Sequence, residues 1–193
     1  MRVIAGSAKG TRLYGAKGRR IRPVLDRVKE SLFGPLGDRV EDTRVLDLFA
    51  GVGNLGIEAL SRGAAHADFI EQHRPTAAAI SENLSRAHLS DKGKVHALRL
   101  PRGLSAAKGT YGLIFVDPPF RIDKRLLEGL FRLIRERGLL DEGGLLAYRH
   151  SPHSRYEPAP EDWLLKERRD YGDSIISIYG LREETDDARR STT

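Results

Sequence analysis

The chain has no cysteine, and only one methionine and one tryptophan among its 193 residues. Without a thiol there are no disulfides, thiolate metal sites or cysteine nucleophiles, and the composition suits a reducing compartment without requiring one. Long apolar runs are missing too. The longest, residues 112–116 and 143–148, fall far short of a bilayer span, and the N-terminus lacks a signal-peptide-like apolar stretch. The expectation is one soluble, cytoplasmic domain of ordinary size with a real core.

Acidic side chains are absent from the first 22 residues, which carry seven basic ones: Arg2, Lys9, Arg12, Lys17, Arg19, Arg20 and Arg22. The net charge of +6 originates here, because residues 40–193 hold 23 basic and 24 acidic side chains. Such a block attracts a polyanion and releases counterions on binding it. The apolar-bearing segments Arg2-Val-Ile-Ala and Thr11-Arg-Leu-Tyr, separated by a stretch from Gly6 to Gly10, point to a basic β-hairpin rather than a solvated tail.

The remainder alternates strand-like and helix-like segments. Residues 26–36 have apolar side chains at helical spacing, 44–50 read as a buried strand, 55–61 as a helix, and 67–71 as a second strand. An Ala-rich helix over 75–87, strands over 94–100 and 112–116, an amphipathic helix over 124–137 and a strand over 143–148 follow. This rhythm predicts parallel β-α-β units in a Rossmann-like, doubly wound α/β sheet. Residues 167–181 break it and read as a hairpin adding antiparallel strands at one sheet edge. Residues 182–193 are polar and charged, as a frayed tail is.

Two motifs carry chemistry. Asp47-Leu-Phe-Ala-Gly51-Val-Gly53-Asn-Leu-Gly56 follows the first strand and opens a helix, whose free N–H groups and positive dipole end favour a ligand. Glu71, at the end of the second strand, is placed to take both hydroxyls of a ribose. A dinucleotide and S-adenosylmethionine (SAM) both satisfy this pattern. Asp47 favours SAM, because it would meet an ammonium well and a pyrophosphate badly. Phe49, Ala50 and Gln72 complete the cofactor-binding candidates.

The second motif, Asp117-Pro118-Pro119-Phe120, ends the fourth strand and so faces the same crevice. An exocyclic amine on a base is a poor nucleophile, its lone pair being delocalised into the ring. Hydrogen bonds from that amine to Asp117 and to a carbonyl beside Pro118 would localise the pair, while Phe120 stacks on the base. The prolines stiffen the backbone. These four are the catalytic candidates.

Together these motifs resemble the SAM-dependent amino methyltransferases. Arg22-Pro-x-x-Asp-Arg-Val-Lys-Glu-Ser-Leu-Phe33, Gly56-Ile-Glu-Ala-Leu-Ser-Arg-Gly-Ala64 and Tyr171-Gly-Asp-Ser narrow the resemblance to the bacterial RsmD-type 16S rRNA guanine-N2 methyltransferases. It implies methylation of a loop guanine in 16S rRNA, within the small ribosomal subunit or its precursor, by a monomer that needs no metal or membrane. It also implies a division into a basic hairpin (1–22), a methyltransferase domain (23–181) and a tail (182–193). A DNA adenine-N6 methyltransferase and a non-catalytic RNA-binding module remain alternatives.

Two positions depart from the family pattern. Val24 stands where a hydroxyl residue is common, and Arg99-Leu-Pro-Arg102 occupies the stretch that usually supplies an acidic or amide contact near the adenine. His150 and His153 have a metal-like spacing, but Pro152 interrupts any helix between them and no third ligand is in view. Trp163 reads as a packing residue.

Overall fold

The computed structural model describes residues 1–15, 26–119, 121–154 and 156–182. Its seven strands are β1 (Arg44–Leu48), β2 (His66–Ile70), β3 (Gly93–His96), β4 (Tyr111–Val116), β5 (Leu140–His150), β6 (Trp163–Asp170) and β7 (Ile175–Leu181). They form one sheet in the order β3-β2-β1-β4-β5-β7-β6. The first five pair in parallel, β7 runs antiparallel to β5, and β6 antiparallel to β7. The predicted open α/β sheet with an antiparallel edge hairpin is therefore observed.

Alternation along the strands separates two cores. On one face Val45, Phe69 and Phe115 pack against α1 (Asp26–Leu36), α2 (Asn54–Ser61) and α3 (Arg74–Arg86), through Leu32, Phe33, Leu60 and Ile80. On the other, Leu46, Leu48, Ile114 and Leu146 meet α4 (Lys124–Glu136), which offers Leu127, Leu130, Phe131 and Ile134. Asp123 caps α4 by accepting from the Arg125 N–H at 2.9 Å, so this helix starts where its apolar stripe begins. Trp163 stands edge-on to Phe131 at 5.5 Å, in the packing role expected of it. His150 faces the Ser177 hydroxyl at 3.1 Å and stacks on Tyr148, while His153 is exposed. No group of metal-ligating side chains occurs among the described residues, and no helix there is long and apolar enough to cross a membrane.

β3, β5 and β6 differ from the sequence reading, β6 by beginning at Trp163 rather than at 167. β3 stops at His96, where the Leu98 N–H turns back onto the His96 carbonyl, and residues 98–100 leave the sheet ahead of Pro101, which has no N–H to give a ladder. The Leu100–Pro101 peptide is cis. β5 extends to His150 because β7 supplies an antiparallel partner as far as the His150–Ile175 pair.

Residues 1–15 fold back on themselves through an antiparallel Arg2–Arg12 bridge and lie against α2. Val3, Ala8 and Leu13 are buried in the same core as α1 and α2. The approach is close enough that a Cβ on Gly6 would fall 1.7 Å from the Ser61 carbonyl oxygen. The N–H groups of Ile4 and Ala5 donate to the fully buried Glu58 carboxylate at 2.9 and 3.1 Å. That carboxylate also accepts from Lys29 Nζ at 3.0 Å and Arg62 Nε at 2.9 Å. Four donors satisfy one buried anion, which tethers the N-terminal segment to the sheet's helical cover. Lys17, Arg19, Arg20 and Arg22 fall outside the described residues.

Candidate active site

β1 lies between β2 and β4, where successive connections diverge to opposite sides of the sheet, and a cavity of about 600 Å³ opens beyond the carboxyl ends of these strands. Phe49, Ala50, Gly51, Glu71, Gln72, Asp117, Pro118 and Pro119 all line it, so residues from both motifs share one enclosure. Phe120 is outside the described residues.

The turn after β1 brings backbone and carboxylate together. Gly51 has φ +58, and its N–H donates to Glu71 Oε2 at 3.0 Å, while the His73 N–H donates to Oε1 at 2.8 Å. Glu71 is thus fixed by one bond on each oxygen, with further lone pairs left for a ligand. Gly53 and Gly56 do not line the cavity. They were expected to let backbone approach a ligand, but a Cβ on Gly56 would meet the Phe69 ring at 2.3 Å and one on Gly53 the Ile80 side chain at 2.9 Å. Their physical task is to let α2 sit close on β2 and α3.

Asp47 is almost fully buried, and its Oδ2 accepts from the Gly56 N–H at 2.9 Å. Loss of solvent drives its pKa up to about 8, against the lowering effect of the Gly56 bond and with help from the negative charges of Asp117 and Glu71. It touches the cavity as well, so a cationic ligand there would relieve the crowding of three carboxylates.

Asn54 was overlooked in the sequence. It opens α2, is 5% exposed and lines the cavity, yet its Oδ1 and Nδ2 bond to no protein group among the described residues. A buried carboxamide without protein partners beside a cavity is one that a polar ligand can satisfy. Arg149 was missed too. Its Nε and Nη2 donate to Asp117 Oδ1 and Oδ2 at 2.7 and 2.8 Å, so the proposed amine acceptor already holds a two-pronged cation.

Residues 98–100 border the cavity where an adenine contact was in question, supplying Leu98, Arg99 and Leu100. No acidic or amide side chain comes from that stretch. The surface there is apolar, with Leu98 42% exposed, and suits the flat face of a base. Ile70, Ile122 and Leu126 extend this apolar lining. Of the basic candidates, Arg2 pairs with Asp26 at 2.9 Å, whereas Lys9 and Arg12 are exposed.

The arrangement offers a nucleoside-sized enclosure with a fixed carboxylate, an unsatisfied carboxamide and a second carboxylate at the far strand end, flanked by two prolines. It can hold a polar, positively charged nucleoside and present a planar amine to it.

The chain matches the family described as conserved hypothetical protein 95 over residues 1–180. YlbH of Bacillus subtilis (strain 168) is 37% identical over 185 residues, covering 94% of this chain and all of that one. The ribosomal RNA small subunit methyltransferase D of Escherichia coli (strain K12) is 33% identical over 180 residues, covering 93% and 89%. The solved yhhF structure from Escherichia coli superposes with a TM-score of 0.83 at 33% identity, covering 95% of this chain and 98% of that one. The solved neighbours have the class I SAM-dependent methyltransferase fold. On its sequence and its fold alike, the chain belongs to the conserved hypothetical protein 95 family, the RsmD-type SAM-dependent methyltransferases.

Proposed function

We propose that this chain transfers a methyl group from SAM to the exocyclic N2 of a guanine in 16S rRNA, within the small ribosomal subunit or its precursor. The observation that carries the reading is the convergence of Glu71 and Asn54 with Asp117-Pro118-Pro119 on one cavity. The name of the Escherichia coli relative supports rRNA as the substrate class.

Glu71 would hold the ribose hydroxyls with the lone pairs left over from Gly51 and His73, and Asn54 would satisfy its carboxamide on the polar methionine end. Glu71 places a negative charge in the cavity, which favours a sulfonium over its neutral product. SAM, when bound, would supply a methyl carbon on positively charged sulfur for the amine lone pair, with sulfur keeping the C–S electron pair and one amine proton passing to solvent. Asp117 and the Pro118 carbonyl accept from the amine hydrogens, holding the nitrogen lone pair out of conjugation and in line. Phe120 stacks on the base by the sequence reading. Leu55, Ile70, Leu100 and Ile122 keep water from the reacting carbon.

Lys9 and Arg12, with Lys17, Arg19, Arg20 and Arg22 of the same basic segment, dock the RNA backbone; Arg2 contributes its charge although Asp26 partly neutralises it. Residues 1–22, 23–181 and 182–193 are the corresponding docking, catalytic and tail segments of a cytoplasmic monomer.

Labelled SAM offered with 30S particles, free 16S rRNA and duplex DNA, followed by mass spectrometry of the methylated nucleoside, tests the reading. N2-methylguanosine from the ribosomal substrates supports it. N6-methyladenosine from DNA would overturn it.

A further inference from the structure

Asp117 and Arg149 are lateral neighbours by strand register. β4 and β5 pair Val116 with Tyr148, so the next residue on each strand, Asp117 and Arg149, emerges side by side at the cavity. The guanidinium meets the carboxylate side-on through Nε and Nη2, at 2.7 and 2.8 Å, with the two side chains only 11% and 15% exposed. Val28 and Leu32 of α1, Leu55 of α2 and Ile176 of β7 form an apolar floor beneath the pair. Water therefore has little access from below to replace either partner.

Other charges around Asp117 do not duplicate Arg149. Glu71 from the end of β2 faces the same cavity and repels a second anion, as does Asp123 from the loop after β4, while Asp47 from β1 is buried and raised to about 8. Arg99 and Arg121 stand at the exposed lip. Among the described residues, Arg149 alone forms an ion pair with Asp117.

We propose that Arg149 is a positioning residue for the methyl-accepting amine. It acts through Asp117, in two ways. The planar fork sets the plane of the carboxylate and uses one lone pair on each oxygen, leaving the other for the incoming N–H. The positive charge also balances that of the carboxylate it holds, at 2.7 Å. The two residues thus form one neutral, oriented acceptor.

This inference rests on Asp117 as the amine acceptor, and a double-mutant cycle separates the two. The purified full chain and the variants D117A, D117N, R149M, R149K and D117N/R149M are compared by steady-state kinetics on 30S particles, SAM calorimetry and thermal melting. R149M should lower kcat about 10- to 100-fold, as misorientation of a reacting group does, with SAM affinity within about threefold. R149K should restore little of kcat, since an ammonium supplies charge without the fork. In the D117N background, where no charge needs balancing, R149M should cost little more.

R149M with normal kcat, or with weakened SAM binding and unchanged turnover, overturns the proposal; the second result would give the guanidinium to the methionine carboxylate instead. Fully additive losses in the double mutant would also overturn it. Should R149M melt early, R149K and the uncharged D117N/R149M pair still decide between these outcomes. D117A with full kcat sinks the underlying reading of Asp117, whereas a crippled D117A beside a normal R149M sinks this inference alone.

Discussion

Asp47 Oδ2 accepts the Gly56 N–H at 2.9 Å, so the acidic residue of β1 is bonded to the first turn of the helix that its own glycine turn creates. Burial raises this carboxyl to about 8 from an ordinary 3.8. Because the folded pKa lies above the unfolded one, the folded protein binds the extra proton between those values. Its stabilising contribution is complete below about pH 4 and is lost as pH rises towards 8.

Asp47→Asn keeps an acceptor for Gly56 and removes the titration. Urea unfolding of the wild type should lose stability relative to the variant by up to about 1.4 kcal/mol per pH unit between pH 5 and 7.5. Parallel pH curves for the two proteins would show that Asp47 is ionised throughout.

Asn54→Ala should move two quantities in opposite directions. The carboxamide bonds to no described protein group, so its loss relieves an uncompensated desolvation and leaves the ligand-free fold equal or slightly more stable. SAM binding should weaken by about 1 to 3 kcal/mol, the cost of a lost buried hydrogen-bonding group. Calorimetry with unchanged affinity would remove Asn54 from the site.

Glu71→Ala loses a carboxylate that orders the Gly51 turn at 3.0 Å and is offered to the ribose. Affinity for SAM should fall by about 1 to 3 kcal/mol. Measuring adenosine in parallel isolates the ribose contact, since adenosine carries the same hydroxyls without the methionine. If SAM weakens and adenosine does not, Glu71 acts elsewhere on the cofactor.

Much of this architecture is legible in the chain because each strand announces itself locally. Val45, Leu46 and Leu48 are buried apolar positions broken only by Asp47, and the motif glycines and prolines stand at strand ends, where a doubly wound sheet gathers its ligands. What stayed hidden depends on lateral register. Arg149 reads as an ordinary strand charge until β5 is aligned beside β4. Glu58 looks like half of an exposed i,i+4 pair with Arg62, and Lys29 like a solvated helix residue, yet both are fully buried. The basic N-terminal segment was legible as charge but not as core, because Val3, Ala8 and Leu13 are too few and too scattered to show a period.

Lys29→Met should destabilise the fold by about 3 to 5 kcal/mol, the usual cost of removing one member of a buried ion pair. Lys29 also donates to the Arg2 carbonyl, so the N-terminal segment should loosen with it. Adding Glu58→Gln removes the stranded charge and should recover part of the loss. Chemical denaturation of the two variants checks this; a double mutant as unstable as the sum of both single changes would mean the pair is not coupled.

The role of the basic segment calls for charge removal without deletion, because cutting it away would strip Val3, Ala8 and Leu13 from the core and leave Glu58 without two of its donors. Lys9 and Arg12 project from the folded part of the segment, and neither has an ion-pair partner among the described residues. Lys9→Ala/Arg12→Ala should therefore leave the melting temperature and SAM affinity unchanged while weakening binding to 16S rRNA. Each lost phosphate contact removes about 0.7 to 0.9 from the slope of log affinity against log salt, so two contacts should flatten it by about 1.4 to 1.8. Fluorescence titrations between 50 and 200 mM salt, a range of about one Debye-length halving, read both the affinity and the slope. Weaker binding with an unchanged slope would mean that the pair contributes shape rather than charge. Unchanged binding at every salt concentration would move the phosphate contacts to the other exposed arginines of the cavity lip, Arg99 and Arg121.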